Sequence, residues 1–417
     1  MQQPTNTTFK RYLTFWSGQI VSTLGSSIVQ FVIIWWITLQ TQSGIYLSLA
    51  ALVGLVPMIV LSPFVGVLAD RWNRKLLILG ADFAQALATF ALIIIFWAGL
   101  ATIWAVLTLL AARGICQAFH TPTVLAVTPS MVPQEKLGRI NGLSFFFTGA
   151  INLVGPVLAA LFLEVWSINQ ILWIDVATFA VAIIPLLVVK IPSVVPAASS
   201  VKTSFRREFT EGLKHIKSHR GLLPLFLLAM ILNLLITPLT TLLPYFIKFD
   251  HLGAASDLAL VEAMVEAGML VGGLAMTAIG VLKRKAIVIA ISFYAIFLGY
   301  LLIALSPTGM FWFMGAAGLI AALFIPVVNV LAATITQTVI PLEVQGRVSS
   351  VNLALVTVAS PIGMVASGAI VGFVNTSYMF VGCAVAGFIS ITLMWVFTGL
   401  RQVESEVPKS QPMAEAT

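Results

Sequence analysis

Six ionisable residues stand inside long apolar stretches of the sequence: Asp82, Arg113, His120, Asp175, Glu262 and Glu266. A charge at the centre of a bilayer costs at least about 2.5–3.5 kcal/mol on insertion scales, so such groups face a cavity or a partner and mark functional positions. Glu262 and Glu266 are four residues apart and share one helical face. Two carboxylates that close resist joint ionisation, which is the property a proton-coupling site needs. Glu266 is the deeper of the two and the stronger candidate; at Glu262, nearer the surface, simple solvation competes evenly. Asp175 is a second proton-coupling candidate, with pairing to a neighbouring polar group as the alternative. Arg113 sits halfway through its stretch, where no packing reason explains it, and is assigned to a cavity or a charge network. His120, beside Pro122, reads as a structural histidine, and Asp82 as part of the charged network at the nearby basic end. The amides Gln19, Gln30, Gln117, Asn152, Asn233, Asn329 and Asn352 would complete a polar cavity wall.

Positioning these groups falls to a chain of 417 residues that is 59% hydrophobic and 9% charged, with a mean hydropathy of +1.04. A soluble domain carries about a quarter charged residues and could not bury this much apolar surface. Composition therefore excludes an aqueous enzyme and a disordered chain. Apolar runs of about 20 residues, each able to cross roughly 30 Å of hydrocarbon as a helix, recur twelve times. The expected fold is all-α and integral to the membrane. Polar residues run to Lys10-Arg11 before the first apolar segment, which predicts a retained helix rather than a cleaved signal. The net charge of +7 does not indicate a nucleic-acid partner, because the basic residues sit at the ends of apolar runs. Cys116 and Cys383 both lie in apolar stretches and support neither a disulfide framework nor a metal site.

Orientation follows from basic residues in short loops. With the N-terminus inside, all but two of the 22 Lys and Arg fall on the cytoplasmic side; Lys248 lies outside and Arg113 within a span. Both termini are thus expected in the cytoplasm of a cell with the chain in its cytoplasmic membrane.

An internal repeat divides the sequence. Pro133-Gln134-Glu135-Lys136-Leu137-Gly138-Arg139 and Pro341-Leu342-Glu343-Val344-Gln345-Gly346-Arg347 share the pattern P-x-E-x-x-G-R, and each copy joins the fourth span of its half to the fifth. Each following span contains a proline, Pro156 after Gly155 and Pro361 before Ile362. The expected divisions are a six-helix bundle over 1–190, a cytoplasmic linker over 191–220, a second bundle over 221–401 and a tail over 402–417. Within the linker, Phe205, Phe209, Leu213 and Ile216 recur at helical spacing. That pattern reads either as an amphipathic helix on the inner membrane surface or as a solvated tether. Glu135/Arg139 and Glu343/Arg347 are i,i+4 pairs with the acid leading and are expected to clasp neighbouring helices on the cytoplasmic side.

Gly66-Val67-Leu68-Ala69-Asp70-Arg71-Trp72-Asn73-Arg74-Lys75 resembles the signature loop of the major facilitator superfamily, G-x-L-a-D-R-x-G-R-K, with Asn73 where the family has Gly. Asn tolerates a left-handed turn, so the loop geometry is expected to persist. Gly155-Pro156-Val157-Leu158-Ala159-Ala160 is similar to the antiporter motif G-P-x-x-G-G, with Ala at both trailing glycines, and Arg113 matches the arginine of the fourth-span motif. The stretches Ala118–Pro122, Ala126–Pro129 and Gly268–Gly273 resemble macrolide-efflux members of that superfamily.

The resemblance implies a major facilitator fold of two pseudo-symmetric six-helix bundles, working by alternating access. It makes Gly66, Asp70, Arg71, Arg74, Lys75, Asp82, Glu135, Arg139, Glu343 and Arg347 a gating set, with Asp70 latching a helix N-terminus of the other half, and makes Gly155, Pro156 and Pro361 hinge positions. The implied function is export of bulky hydrophobic or cationic, macrolide-like compounds in exchange for protons. Without a G-x-x-x-x-G-K-[ST] loop, the proton gradient rather than nucleotide hydrolysis would drive it, with no cofactor and the chain acting as a monomer. The family's first-span carboxylate is absent here, which moves coupling to span eight or six. A lipid, siderophore or metabolite exporter on the same scaffold, or an uncoupled facilitator, stays open.

Overall fold

The computed structural model describes residues 4–192, 205–279, 282 and 284–403. The start of the expected linker and the tail beyond 403 lie outside them. The first half consists of α1 (Asn6–Thr41), α2 (Gly44–Arg71), α3 (Arg74–Trp97), α4 (Ile103–Met131), α5 (Gln134–Val165) and α6 (Ile168–Val188). A shorter helix, α7 (Phe205–Ser218), precedes the second half: α8 (Leu222–Tyr245), α9 (Ala255–Ala278), α10 (Lys285–Ala304), α11 (Phe311–Val339), α12 (Leu342–Ile370) and α13 (Thr376–Phe397). Twelve of these are long and apolar enough to cross a membrane. The protein is a multi-pass membrane protein. Alternate spans run in opposite directions, so α1 begins and α13 ends on one face. That face also carries Lys10, Arg11, Arg74, Lys75, Lys136, Arg139 and Arg347, and is called the basic face below.

The two halves pack by the same plan. Helix α2 lies on α4 as α9 lies on α11, α3 on α4 as α10 on α11, and α1 on α5 as α8 on α12. Across the interface, α5 meets α9 and α12 meets α2, which is one contact seen twice through a pseudo-twofold axis. This is the parallel-repeat arrangement of transporter folds. Small residues allow the close pairs, since helix association in lipid depends on van der Waals approach. A Cβ added at Gly114 would stand 2.6 Å from the Gly54 carbonyl of α2, and one at Gly272 would collide with the Leu323 carbonyl of α11.

The repeated motif is not a loop. Pro133 and Pro341 cap α5 and α12 with nearly identical torsions (φ −57°, ψ 145° and φ −57°, ψ 144°), and the following residues form the first helical turns. Proline suits a helix start, where its missing N–H costs nothing. Both spans therefore begin a full turn or more before the apolar pattern does. Asn73 also departs from expectation: at φ −67°, ψ 109° it is extended, and its side chain accepts from Lys75 N and Leu76 N as the cap of α3. The motif's glycine is replaced here by a residue that does a different job, satisfying two orphan amides.

Helix α7 docks on the bundle. A Cβ at Gly212 would sit 2.7 Å from the Arg347 carbonyl, Ile216 is fully buried, and Glu211 pairs with Arg347 Nη1 at 2.7 Å. The described face of the helix thus packs against α12 rather than lying free as a tether.

Candidate functional site

Between the halves lies a chamber of about 740 Å³. The first half gives it a polar wall: Ser26, Ser27 and Gln30 from α1, Gln85 from α3, Arg113 and Gln117 from α4, Asn152 and Pro156 from α5. The second half gives a mostly aliphatic wall from α8, α9 and α10, interrupted by Thr240, Glu262 and Glu266. Both candidate proton-coupling carboxylates therefore enter the same space, and the Asn152 side chain reaches the Glu266 carboxyl across the interface. The chamber is shut at the end away from the basic face. There Ser48 Oγ and Ser367 Oγ stand 3.2 Å apart, both buried, and Gly44 packs on Leu242 and Val371.

Behind the polar wall, Arg113 and Asp175 form a buried ion pair, Nη1 to Oδ2 at 2.6 Å. Thr89 donates to the same oxygen at 2.5 Å, and Ser26 donates to Oδ1 at 2.8 Å. Arg113 also donates to the Thr89 hydroxyl. Gln85 Nε2 donates to Ser26 at 2.8 Å and Gln117 Nε2 to Gln85 Oε1 at 2.9 Å. Gly25 makes this possible: a Cβ there would collide with the Thr178 hydroxyl, so α1 lies close enough to α6 for Ser26 to reach Asp175. Asp175 does not line the chamber. Its carboxylate is paired with Arg113 and accepts from three donors, Arg113, Thr89 and Ser26.

Ser26, Gln85 and Thr89 were not among the expected residues. The available signal was spacing: Asp82, Gln85 and Thr89 fall at i, i+3 and i+7, one stripe on α3. The remaining amides are distributed differently. Gln19 is buried against His120, Nε2 to Oε1 at 2.7 Å. Asn233 donates to its own helix at Ala229 O, Asn352 is partly buried outside the chamber wall, and Asn329 is exposed and outside that wall. None of these four amides, Gln19, Asn233, Asn329 and Asn352, lines the chamber as expected; each lies on a helix face that apolar periodicity in a membrane span leaves undefined. Asp82 pairs with His120, Oδ1 to Nε2 at 3.2 Å, rather than with the basic ends.

At the basic face, Lys75 Nζ donates to Leu187 O at 2.6 Å and Val189 O at 3.0 Å, a cation on the C-terminal carbonyls of α6. Arg74 donates to Ala126 O at 2.7 Å. Glu135 and Arg139 are both exposed and form no ion pair with each other among the described residues. Arg347 is clasped by Glu211 of α7. Gly66, Asp70, Arg71 and Glu343 fall outside the residues whose side chains are described. Gly155 packs on Ser27 of α1 as Gly363, two residues after Pro361, packs on Thr237 of α8, so the hinge positions sit at equivalent close contacts.

This architecture has counterparts. The family model of the Major Facilitator Superfamily matches residues 15–362. The chain belongs to the Major Facilitator Superfamily. It is 32% identical over 371 residues to macrolide efflux protein A of Streptococcus pyogenes, covering 89% of this chain and 91% of that one. It is 24% identical to multidrug resistance protein MdtG of Proteus mirabilis, covering 80% and 81%. In fold it matches a bacterial homologue of the iron transporter ferroportin in an inward-facing state, with a TM-score of 0.69 at 14% identity over 93% of this chain and 98% of that one. The protein is a superfamily transporter, and its chamber occupies the interface where such folds hold substrate.

Proposed function

We propose that this transporter exports bulky hydrophobic or cationic, macrolide-like compounds in exchange for protons, from a cytoplasmic membrane with the basic face and both termini in the cytoplasm. The observation that carries the reading is the pair of carboxylates, Glu262 and Glu266, in the aliphatic wall of a chamber otherwise built for a large apolar guest. A carboxylate in that wall is neutralised either by a proton or by the ammonium of a cationic guest. Competition between the two makes proton uptake and cargo release one linked event. Glu266 is the principal carrier, with Glu262 sharing its charge. Arg113–Asp175 remains a fixed ion pair that keeps the polar wall in register. Similarity to macrolide efflux protein A supports the substrate class, and closure at the far end supports loading from the basic side. The chain acts as a monomer, without a resident cofactor, and each proton crossing 100 mV supplies about 2.3 kcal/mol.

The test is uptake of radiolabelled erythromycin into inside-out membrane vesicles with an acid lumen. Wild type should accumulate the drug against its gradient, and Glu266→Gln should lose at least about tenfold of that accumulation while still equilibrating drug downhill. Equilibration without accumulation, at a rate unchanged when the pH gradient is collapsed, would make the protein a facilitator.

A further inference from the structure

His120 and Asp82 lie outside the chamber wall and have no part in the exchange just described. Both are largely buried, with side chains 16% and 9% exposed. His120 Nε2 faces two acceptors at once, Asp82 Oδ1 at 3.2 Å and Gln19 Oε1 at 2.7 Å. Nε2 must therefore carry hydrogen, and the proton that this imidazole gains or loses is the one on Nδ1.

The pair stands at the basic-face end of a polar stripe. On α4, Arg113, Gln117 and His120 fall at i, i+4 and i+7; on α3, Thr89, Gln85 and Asp82 run in the same direction toward the basic face. Asp175, Ser26, Gln85, Gln117 and Thr121 are joined in sequence by hydrogen bonds of 2.8–3.3 Å. Seven residues of helix separate Arg113 from His120, about 10 Å along the axis. Asp82 is eight residues into α3 from the basic face, about 12 Å.

The charge balance gives the pair a purpose. Arg113 and Asp175 cancel. With a neutral imidazole, an ionised Asp82 has no counter-charge in the pair, and with an imidazolium the buried set Arg113, Asp175, His120 and Asp82 is neutral. Among the described residues the charged group facing the imidazole is Asp82 from α3, and α1 contributes the uncharged Gln19; Asp175 of α6 and Cys116, one turn back on α4, interact with Asp82.

We propose that His120–Asp82 is a second proton-exchange station, which takes up the proton released from the chamber and delivers it to the basic side. It rests on the proton-coupled reading above. In the delivery step the Nδ1–H bond of the imidazolium breaks, the proton passes to water on the basic side, and the neutral imidazole keeps its Nε2–H on Asp82. His120 acts on the proton alone and touches no cargo.

The test is erythromycin uptake into inside-out vesicles, where the basic face meets the medium, with the lumen held about two pH units more acid while both are stepped across the imidazole range of about 5 to 8. His120→Gln should flatten the wild-type pH profile and slow transport about tenfold, with drug affinity unchanged within about twofold. Asp82→Asn, which keeps an acceptor but removes the anion paired with the imidazole, should also flatten the profile and slow transport about tenfold. It carries the test if His120→Gln fails to fold. Wild-type profiles in both variants would overturn this station while leaving the chamber carboxylates in place. A wild type indifferent to the gradient would overturn both.

Discussion

Arg113 and Asp175 are 5% and 3% exposed, and among the described residues each is the other's ion-pair partner. Breaking a buried pair from one side leaves an uncompensated ion and costs about 3–5 kcal/mol, whereas replacing both members with apolar groups of similar volume is often neutral. Arg113→Met and Asp175→Leu should therefore each lower the unfolding midpoint in detergent sharply. The double variant should recover most of the loss, and strict additivity would contradict the pairing. At this scale the sequence was informative about which groups matter and silent about partners. All six ionisable residues stood out because charge inside an apolar run is rare. The pairing of Arg113 with Asp175, and of His120 with Asp82, depends on the rotation of three or four helices about their own axes. Uniformly apolar spans leave that rotation unmarked. The same ambiguity displaced Gln19, Asn233, Asn329 and Asn352 from the wall and concealed Ser26, Gln85 and Thr89.

Helix pairs in this protein are set by residues without side chains at the crossing. Gly268 and Gly272, one turn apart on α9, bring that helix onto the carbonyls of Leu319 and Leu323 on α11. Gly272→Ala has to push the pair apart, and overpacking of that kind costs about 1–3 kcal/mol. Gly80→Ala, where an added Cβ meets nothing within 4 Å, should be neutral or stabilise by up to about 1 kcal/mol. Thermal unfolding of the two variants side by side checks this; equal destabilisation would refute the crossing. Helix existence was legible from the apolar runs, and the positions of Gly268 and Gly272 were read only as part of a family-like stretch. Two starts were misjudged for one reason. The first turns of α5 and α12 are polar because they project from the bilayer toward the basic face, so hydropathy ended before the helix did. Helix α7 is visible in its periodicity, but the seating of its Glu211 and Gly212 on Arg347 of α12 is not, since the contact joins residues more than 130 positions apart.

The molecule as a whole reads as one six-helix design used twice, with the catalogue of contacts in the first half reproduced in the second and the chamber at their shared face. What differs between the halves is chemistry rather than architecture. The first half holds the neutralised ion pair, the amide ladder and the His120–Asp82 station; the second holds the two chamber carboxylates in an aliphatic wall. The duplication was legible from two heptapeptides spaced half a chain apart, while this division of labour emerged only when the helices were rotated into register. Linkage requires that if a proton gradient moves the cargo, a cargo gradient must move protons. The most direct measurement therefore starts with no pH gradient: erythromycin is added to one side of sealed proteoliposomes containing a pH-sensitive dye. The expected result is a transient pH change in the lumen, its sign that of protons moving opposite to the drug, absent in Glu266→Gln. Drug entry at the wild-type rate with no change in lumenal pH would contradict exchange.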